Sequence, residues 1–168
     1  MIKYKVKDLI AAMQEGEINV IAHQANCFNV MGAGIAPLIA AAFPQMKQAD
    51  NRTAVGDARK LGYHTFAKIS NGVGYNLYGQ YDTGGVATNY NALRSALRSM
   101  YFSLKATDKE NIKIGMPKIG AGLGGGDWSK IELIIEQELL DYDVTIYVLD
   151  QSEIPAESAG DIFLKELV

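Results

Sequence analysis

A nearly continuous apolar run at 18–22 leads through a short polar stretch to Gly32 and Gly34, then into an alanine-rich run ending at Phe43. A run without polar alternation suits a strand covered on both faces, and such strands belong to sheets flanked by helices. Residues 18–43 therefore read as strand, loop and helix, with the helix over 34–43. The join carries its own chemistry. The first N–H groups of a helix have no partner within it and bear the positive end of its dipole. Glycines just ahead of them let a ligand approach the main chain. The stretch reads either as an ordinary strand-to-helix turn or as a cradle for an anion such as phosphate.

The other segments supply the covering layers. Alternation at 2–6 predicts a half-buried strand, and Asp8 can cap a short helix over 9–14 that Gly16 ends. Pro44 starts a further turn through Asp50. Residues 53–63 read as neither helix nor strand, because Gly56 and Gly62 break any helix. Strands at 64–69 and 73–78 are joined by Ser70-Asn71-Gly72, a hairpin signal. Residues 80–87 form a glycine-rich loop, and Thr88 or Asn89 caps a long amphipathic helix over 90–105. A strand at 112–116, a second glycine loop at 117–127, a helix at 128–140 and a strand at 144–149 complete the pattern. The tail, 151–168, can add a short helix. Strands alternating with helices predict an α/β fold with a mixed sheet and helices on both faces. Both glycine loops follow strands and precede helices, so both belong on the rim where such sheets bind ligands.

Totals narrow the partners. A chain of 168 residues makes one domain with a full core. A net charge of −3 gives no footprint for non-specific nucleic-acid binding, so main-chain donors must hold any anion. Cys27 is the single cysteine, which excludes an internal disulfide and suits a reducing compartment. With no leader pattern and no membrane-length apolar run, the expectation is a cytoplasmic protein that does not engage membranes. His23 and His64 are far apart in the chain, so no metal-ligand spacing is present and no cofactor is expected.

The second loop, Gly120-Ala121-Gly122-Leu123-Gly124-Gly125, matches GxGxxG. A dinucleotide motif should open its βαβ unit, and here only one strand follows, which weighs against that reading. A Walker A loop is excluded because GxxxxGK(S/T) does not occur.

Taken together, Val6-Lys7-Asp8-Leu9, Ala22-His23-Gln24-Ala25-Asn26-Cys27, Met31-Gly32-Ala33-Gly34-Ile35-Ala36 and the run from Met116 to Trp128 resemble the macrodomain family. The likeness is strongest to the branch of ADP-ribose 1''-phosphate phosphatases and terminal ADP-ribose glycohydrolases. It is ordered along the chain and covers about residues 2–150, so the expected organisation is a macrodomain at 1–150 and a tail at 151–168. It implies a three-layer α/β/α fold with a mixed central sheet, binding ADP-ribose or ADP-ribose 1''-phosphate, in a monomer.

By the same resemblance Asp8 and Leu9 would meet the adenine, although a helix cap explains Asp8 equally. Asn26 would bond the distal ribose, unless it is simply a turn residue. Gly32, Gly34, Ile35 and Ala36 would wrap that ribose and a phosphate. Ile119 and the stretch Ala121, Gly122, Leu123 and Gly124 would serve the diphosphate. Cys27 reads as a buried filler and Trp128 as packing at a helix start. One of Tyr78, Tyr81 and Tyr90 could cover the distal ribose.

Chemistry divides the branch. Its glycohydrolases carry a lysine after the middle strand and an aspartate after the GxGL loop. Those positions fall on Gln80 and Gly124 here. An amide cannot form the imine that a lysine forms with an opened ribose, so Gln80 is expected only to bind ligand. His23 and Asp127 remain as catalytic candidates. His23 would be a proton shuttle. Asp127 would activate water or orient His23, unless it only caps the helix at Trp128. The leading expectation is a metal-independent phosphatase acting on ADP-ribose 1''-phosphate. A non-catalytic ADP-ribose reader and a hydrolase releasing ADP-ribose from modified protein or nucleic acid are the alternatives.

Overall fold

The computed structural model describes residues 2–107 and 109–157. The strands are β1 (Ile2–Val6), β2 (Val20–Ala25), β3 (His64–Ile69), β4 (Gly72–Tyr78), β5 (Lys113–Met116) and β6 (Asp143–Val148). The helices are α1 (Leu9–Gln14), α2 (Ala36–Ala42), α3 (Pro44–Asn51), α4 (Tyr90–Lys105) and α5 (Trp128–Glu138), with 3₁₀ turns at Ala58–Lys60 and Gln151–Glu153.

The sheet runs β1-β6-β5-β2-β4-β3. Only the β3–β4 pair is antiparallel, and its register brings Ile69 opposite Gly72. A Cβ on Gly72 would stand 1.8 Å from the Asn19 carbonyl oxygen, so the hairpin can sit against β2 only with glycine there. Side chains sort by the two-residue period of the strands. Val20 and Ala22 of β2 join a core with Leu93, Leu97 and Met100 of α4 and Ile131 and Ile135 of α5. Ile21, one residue out of phase, joins Met13, Ile39 and Met46 of α1, α2 and α3 on the opposite face. The result is the expected α/β/α sandwich.

Local departures have physical causes. β2 continues to Ala25, beyond the apolar run, because its ladder with β4 holds to the Ala25–Tyr78 pair. His23 and Gln24 are thus strand residues, and the loop begins at Asn26. α2 begins at Ala36 and not at Gly34, whose φ of 63° is left-handed and incompatible with a right-handed helix. Its first turn contains Pro37, which has no N–H to offer. The turn expected after Pro44 is a helix in its own right. Residues 53–63, ambiguous in sequence, hold one 3₁₀ turn capped by Asp57, which accepts from Arg59 N at 2.9 Å. In the tail, Gln151–Glu153 form a capped turn with Asp150 and Glu153 in a reciprocal capping box. A helix at the end of the tail would fall at 158–168, outside the described residues.

The carboxyl ends of β1, β6, β5 and β2 share one rim. The loops 26–35 and 117–127 leave neighbouring strands there, where connections from the central strands diverge toward opposite edges of the sheet. This is the position at which α/β sheets open a crevice. No helix among the described residues is long and apolar enough to cross a membrane.

Candidate functional site

Two cavities lie along the rim. One, about 520 Å³, is bounded by Gln24, Asn26, residues 30–36, Gln80, Thr83, Ile119, Gly120 and residues 122–124. The other, about 610 Å³, is bounded by Asp8, Leu9, Leu38, Ala121, Trp128, Leu149 and Glu153 among others. Gly34, Ile35, Pro117, Lys118 and Gly122 border both, so the cavities form one bent groove with its elbow between the two glycine loops. The loops also close on each other at that point. A Cβ on Gly34 would lie 3.5 Å from the Leu123 side chain.

Every residue expected to touch a ligand borders one cavity or the other. Asp8, Leu9 and Ala121 border the larger. Asn26, Gly32, Ala36, Gln80, Ile119, Leu123 and Gly124 border the smaller. Several of them also hold the site together. Asp8 Oδ1 accepts from Ala11 N at 2.8 Å and caps α1. Asn26 Oδ1 accepts from Phe28 N at 2.9 Å while its Nδ2 donates to the Val30 carbonyl at 2.7 Å, so this side chain staples its own loop. Deeper in, Lys60 Nζ donates to Asn29 Oδ1 at 2.5 Å and Thr53 Oγ1 at 2.9 Å. Those bonds hold Asn29, whose φ is 58°, in the left-handed region.

The glycines of 117–127 have unlike duties. A Cβ on Gly122 would meet nothing within 4 Å, so its main chain lies bare along the groove. A Cβ on Gly124 would stand 2.4 Å from Thr88 Oγ1, and one on Gly120 would stand 2.9 Å from Gln24 Oε1. Those two are glycine because polar side chains are packed beneath the loop. The helix terminus expected as the anion cradle beyond Gly34 is reduced by Pro37, so the bare main chain of the two loops provides the polar lining at the elbow.

The catalytic candidates are not brought together. His23 borders the smaller cavity, but its ring is buried (1% exposed) and faces Asn76, with Nε2 at 2.6 Å from Oδ1. Asn76 Nδ2 donates to the Met46 carbonyl and to Thr65 Oγ1, both at 3.0 Å. Asn76 therefore presents its oxygen to the imidazole, and Nε2 must carry the proton. Nδ1 is left with a buried lone pair and no partner among the described residues. Burial also pushes this histidine below its ordinary pKa, so the ring is neutral near pH 7. Asp127 borders neither cavity. Its Oδ1 accepts from Ser129 N at 3.0 Å and from Ser129 Oγ at 2.7 Å, which caps α5 and holds the carboxyl below its usual range. The expected His23–Asp127 partnership is thus corrected: one group lies under the strand's α3 face and the other caps a helix.

The three tyrosines flanking the middle loop are packing residues. Tyr78 donates to Asp50 Oδ1 at 2.8 Å, Tyr81 donates to the Gly56 carbonyl at 2.8 Å, and Tyr90 accepts from Asp127 N at 2.9 Å. None borders the smaller cavity. Cys27 is buried, and burial pushes its thiol up. Three residues bordering the groove were not legible as such. Gln24 looked like part of a polar loop. Lys118 stands at the elbow, a cation where main chain alone was expected, and its Nζ lies 5.8 Å from the Trp128 ring. Trp128 packs as expected, donating from Nε1 to Tyr4 Oη at 2.8 Å, yet it also walls the larger cavity. The adjacency of Lys118 to the second glycine motif was the available signal.

The loop 80–88 stands over the smaller cavity. Its base is fastened by a bridge between Gln80 and Thr88 and by Ala87 N and Thr88 N donating to the Gly124 carbonyl at 3.0 and 3.1 Å. At its tip, Cβ atoms on Gly84 and Gly85 would meet nothing within 4 Å.

No family model matches the chain. It is 35% identical over 144 residues to the uncharacterized 17.5 kDa protein in the tk–vs intergenic region of Enterobacteria phage T4, covering 81% of this chain and 88% of that one. Among solved structures it resembles a macrodomain protein from Streptomyces coelicolor, with TM-score 0.69 and 25% identity over 88% of this chain and 99% of that chain. It also shares the fold of part of Thermosipho africanus DarTG, solved in complex with ADP-ribose, with TM-score 0.72 and 18% identity over 96% of this chain and 46% of that one. The order of motifs along the sequence and the fold they produce agree, and the chain belongs to the macrodomain family.

Proposed function

We propose that the groove binds ADP-ribose, with adenosine in the larger cavity, the diphosphate at the elbow and the distal ribose in the smaller cavity. The observation that carries this reading is the junction of two unlike cavities on a strip of bare main chain. The larger has apolar walls in Leu9, Leu38 and Trp128 with the Asp8 carboxylate at its edge, which suits a base. The elbow offers Gly34 and Gly122 for close approach and Lys118 for charge. The smaller offers the amides of Asn26 and Gln80 to sugar hydroxyls. A few charge-assisted hydrogen bonds, each contributing about 1.5–3 kcal/mol, give useful affinity without a basic surface. The ADP-ribose complex of the Thermosipho protein supports the choice of ligand.

The reaction assigned to the distal end is metal-independent release of phosphate from ADP-ribose 1''-phosphate. It is supported by the room in the smaller cavity for a substituent on the anomeric carbon, and by the bare main chain at Gly122 that a phosphate could approach. His23 is the candidate base of this reading, although its ring is buried against Asn76 and its Nδ1 is closed to solvent. Asp127 has no part in it. A second reading, a non-catalytic ADP-ribose reader, is favoured by one observation: among the described residues, the one acid–base residue bordering the smaller cavity besides Lys118 is His23, and it is buried.

Calorimetry with ADP-ribose tests the binding, and phosphate release from ADP-ribose 1''-phosphate in EDTA tests the reaction. Release by the wild type with loss in His23→Gln supports the phosphatase. Binding without release supports the reader, and no binding removes both.

A further inference from the structure

Beneath the second glycine loop lies a relay of polar side chains of which the ligand reading uses only Gln80. Thr88 Oγ1 donates to the Gly120 carbonyl at 2.8 Å. Gln24 Nε2 donates to Thr88 Oγ1 at 2.9 Å and to Gln80 Oε1 at 2.8 Å. Gln80 Nε2 donates to the Asp82 carbonyl at 2.6 Å. The direction of every bond is forced from both ends. A backbone carbonyl can only accept, so Thr88 must spend its single proton on Gly120 and can then only accept from Gln24. Both N–H bonds of Gln24 are thereby committed, one to each neighbour. Gln80 must turn its oxygen to Gln24 and its nitrogen to Asp82. Flipping either amide would set oxygen against oxygen at one end or nitrogen against nitrogen at the other.

The backbone is shaped around this relay. A Cβ on Gly79 would stand 2.5 Å from Gln24 Oε1, one on Gly120 would stand 2.9 Å from the same atom, and one on Gly124 would stand 2.4 Å from Thr88 Oγ1. Glycine at those places makes room for one amide. The arrangement also leaves Gln24 Oε1 buried without a partner among the described residues. Burying such a group without a partner is unfavourable, so the relay is not explained by its own stability. It leaves Gln80, which borders the smaller cavity, with one uncommitted N–H on Nε2 among the described residues.

Resting on the ADP-ribose reading of the groove, we propose that Gln24 is a positioning residue. It fixes the Gln80 amide so that its remaining N–H is offered to an oxygen on the distal sugar, and so makes the smaller cavity selective for a ligand carrying that sugar. The two glutamines act as one unit: Gln80 makes the contact and Gln24 sets which end of the amide makes it.

The test is calorimetry of ADP-ribose and of ADP, which lacks the distal ribose, on the full chain and on Gln24→Met, Gln80→Met and the double variant, with thermal unfolding as the check of folding. Each single change should weaken ADP-ribose about tenfold, the size of one hydrogen bond, and leave ADP unchanged. The double variant should be no weaker than Gln80→Met, because residues acting as a unit are not additive. If Gln24→Met does not fold, Thr88→Val, which removes the acceptor that orients Gln24, should show the same selective loss. Wild-type affinity for ADP-ribose in Gln24→Met or Thr88→Val, or equal loss of ADP and ADP-ribose, would overturn the proposal while the ligand reading stands. A wild type that binds neither nucleotide would overturn both.

Discussion

Asn76 accepts a hydrogen bond from His23 Nε2 across 2.6 Å, between residues directly paired in β4 and β2. The bond sets the imidazole's tautomer, and burial keeps the ring uncharged. The unfolded chain imposes neither condition, so the pair links stability to pH.

The sign follows from which state takes up protons. With the folded value held below the ordinary 6.5, the unfolded state binds the proton first as pH falls. Stability is therefore full above about pH 6.5 and declines below it, by at most about 1.4 kcal/mol per pH unit for one group. His64, lowered by its own burial, adds a loss of the same sign. The paired carboxylates Glu17, Asp57 and Glu138 are held below their ordinary range and add losses of the same sign in more acidic solution. Urea midpoints should fall between pH 7.5 and 5.5, and His23→Gln should flatten that slope. Asn76→Asp, which sets a carboxylate against Nε2, should raise the histidine's value in an NMR titration. A flat midpoint over this range would contradict the argument.

Gly122 and Gly124 should respond oppositely to alanine. At 124 the new methyl meets Thr88 Oγ1 at 2.4 Å and the Gly120 carbonyl at 2.9 Å, and such overpacking costs about 1–3 kcal/mol. At 122 it meets nothing, so Gly122→Ala should melt like the wild type. That methyl nevertheless stands over the elbow and should weaken ADP and ADP-ribose alike. Paired melting curves and titrations decide it.

Lys60→Met should lower stability by about 1–3 kcal/mol, because it strips the donor from Asn29 and Thr53 in a buried setting. Loop 26–31 depends on that donor to keep Asn29 left-handed. Protease cleavage near residue 30 should therefore rise in the variant more than elsewhere in the chain. Uniform sensitivity would show that the ammonium is no special brace for this loop.

Asp127→Ala removes a helix cap, for which about 0.5–2 kcal/mol is expected. Nucleotide affinity, and any phosphate release, should survive the change. Loss of turnover with an unchanged melting temperature would restore this carboxylate to the chemistry.

Periodicity made the layers legible. The nearly continuous apolar run at 18–22 marked β2 as a strand covered on both faces, and the alternation at 2–6 marked β1 as half-buried. The glycine loops were legible as features of the rim but not as two kinds of glycine. Gly122 faces the groove while Gly120 and Gly124 make room for Gln24 and Thr88, and no local pattern separates the cases. The polar look of His23 and Gln24 ended the strand too early in sequence, because only the ladder to β4 keeps both in it. Lys60 lay in a stretch with no period, and its partners Asn29 and Thr53 are distant or unremarkable in the chain. Long-range pairings of this sort leave no local signature.

The loop that rises between Gln80 and Thr88 is bolted where it leaves the body and empty around Gly84 and Gly85. Extra residues spliced between those two glycines would lengthen the tip without pulling on the relay at its root. This makes it a graft point: a reporter or affinity handle carried there would ride at the mouth of the groove while the architecture below stays as it is.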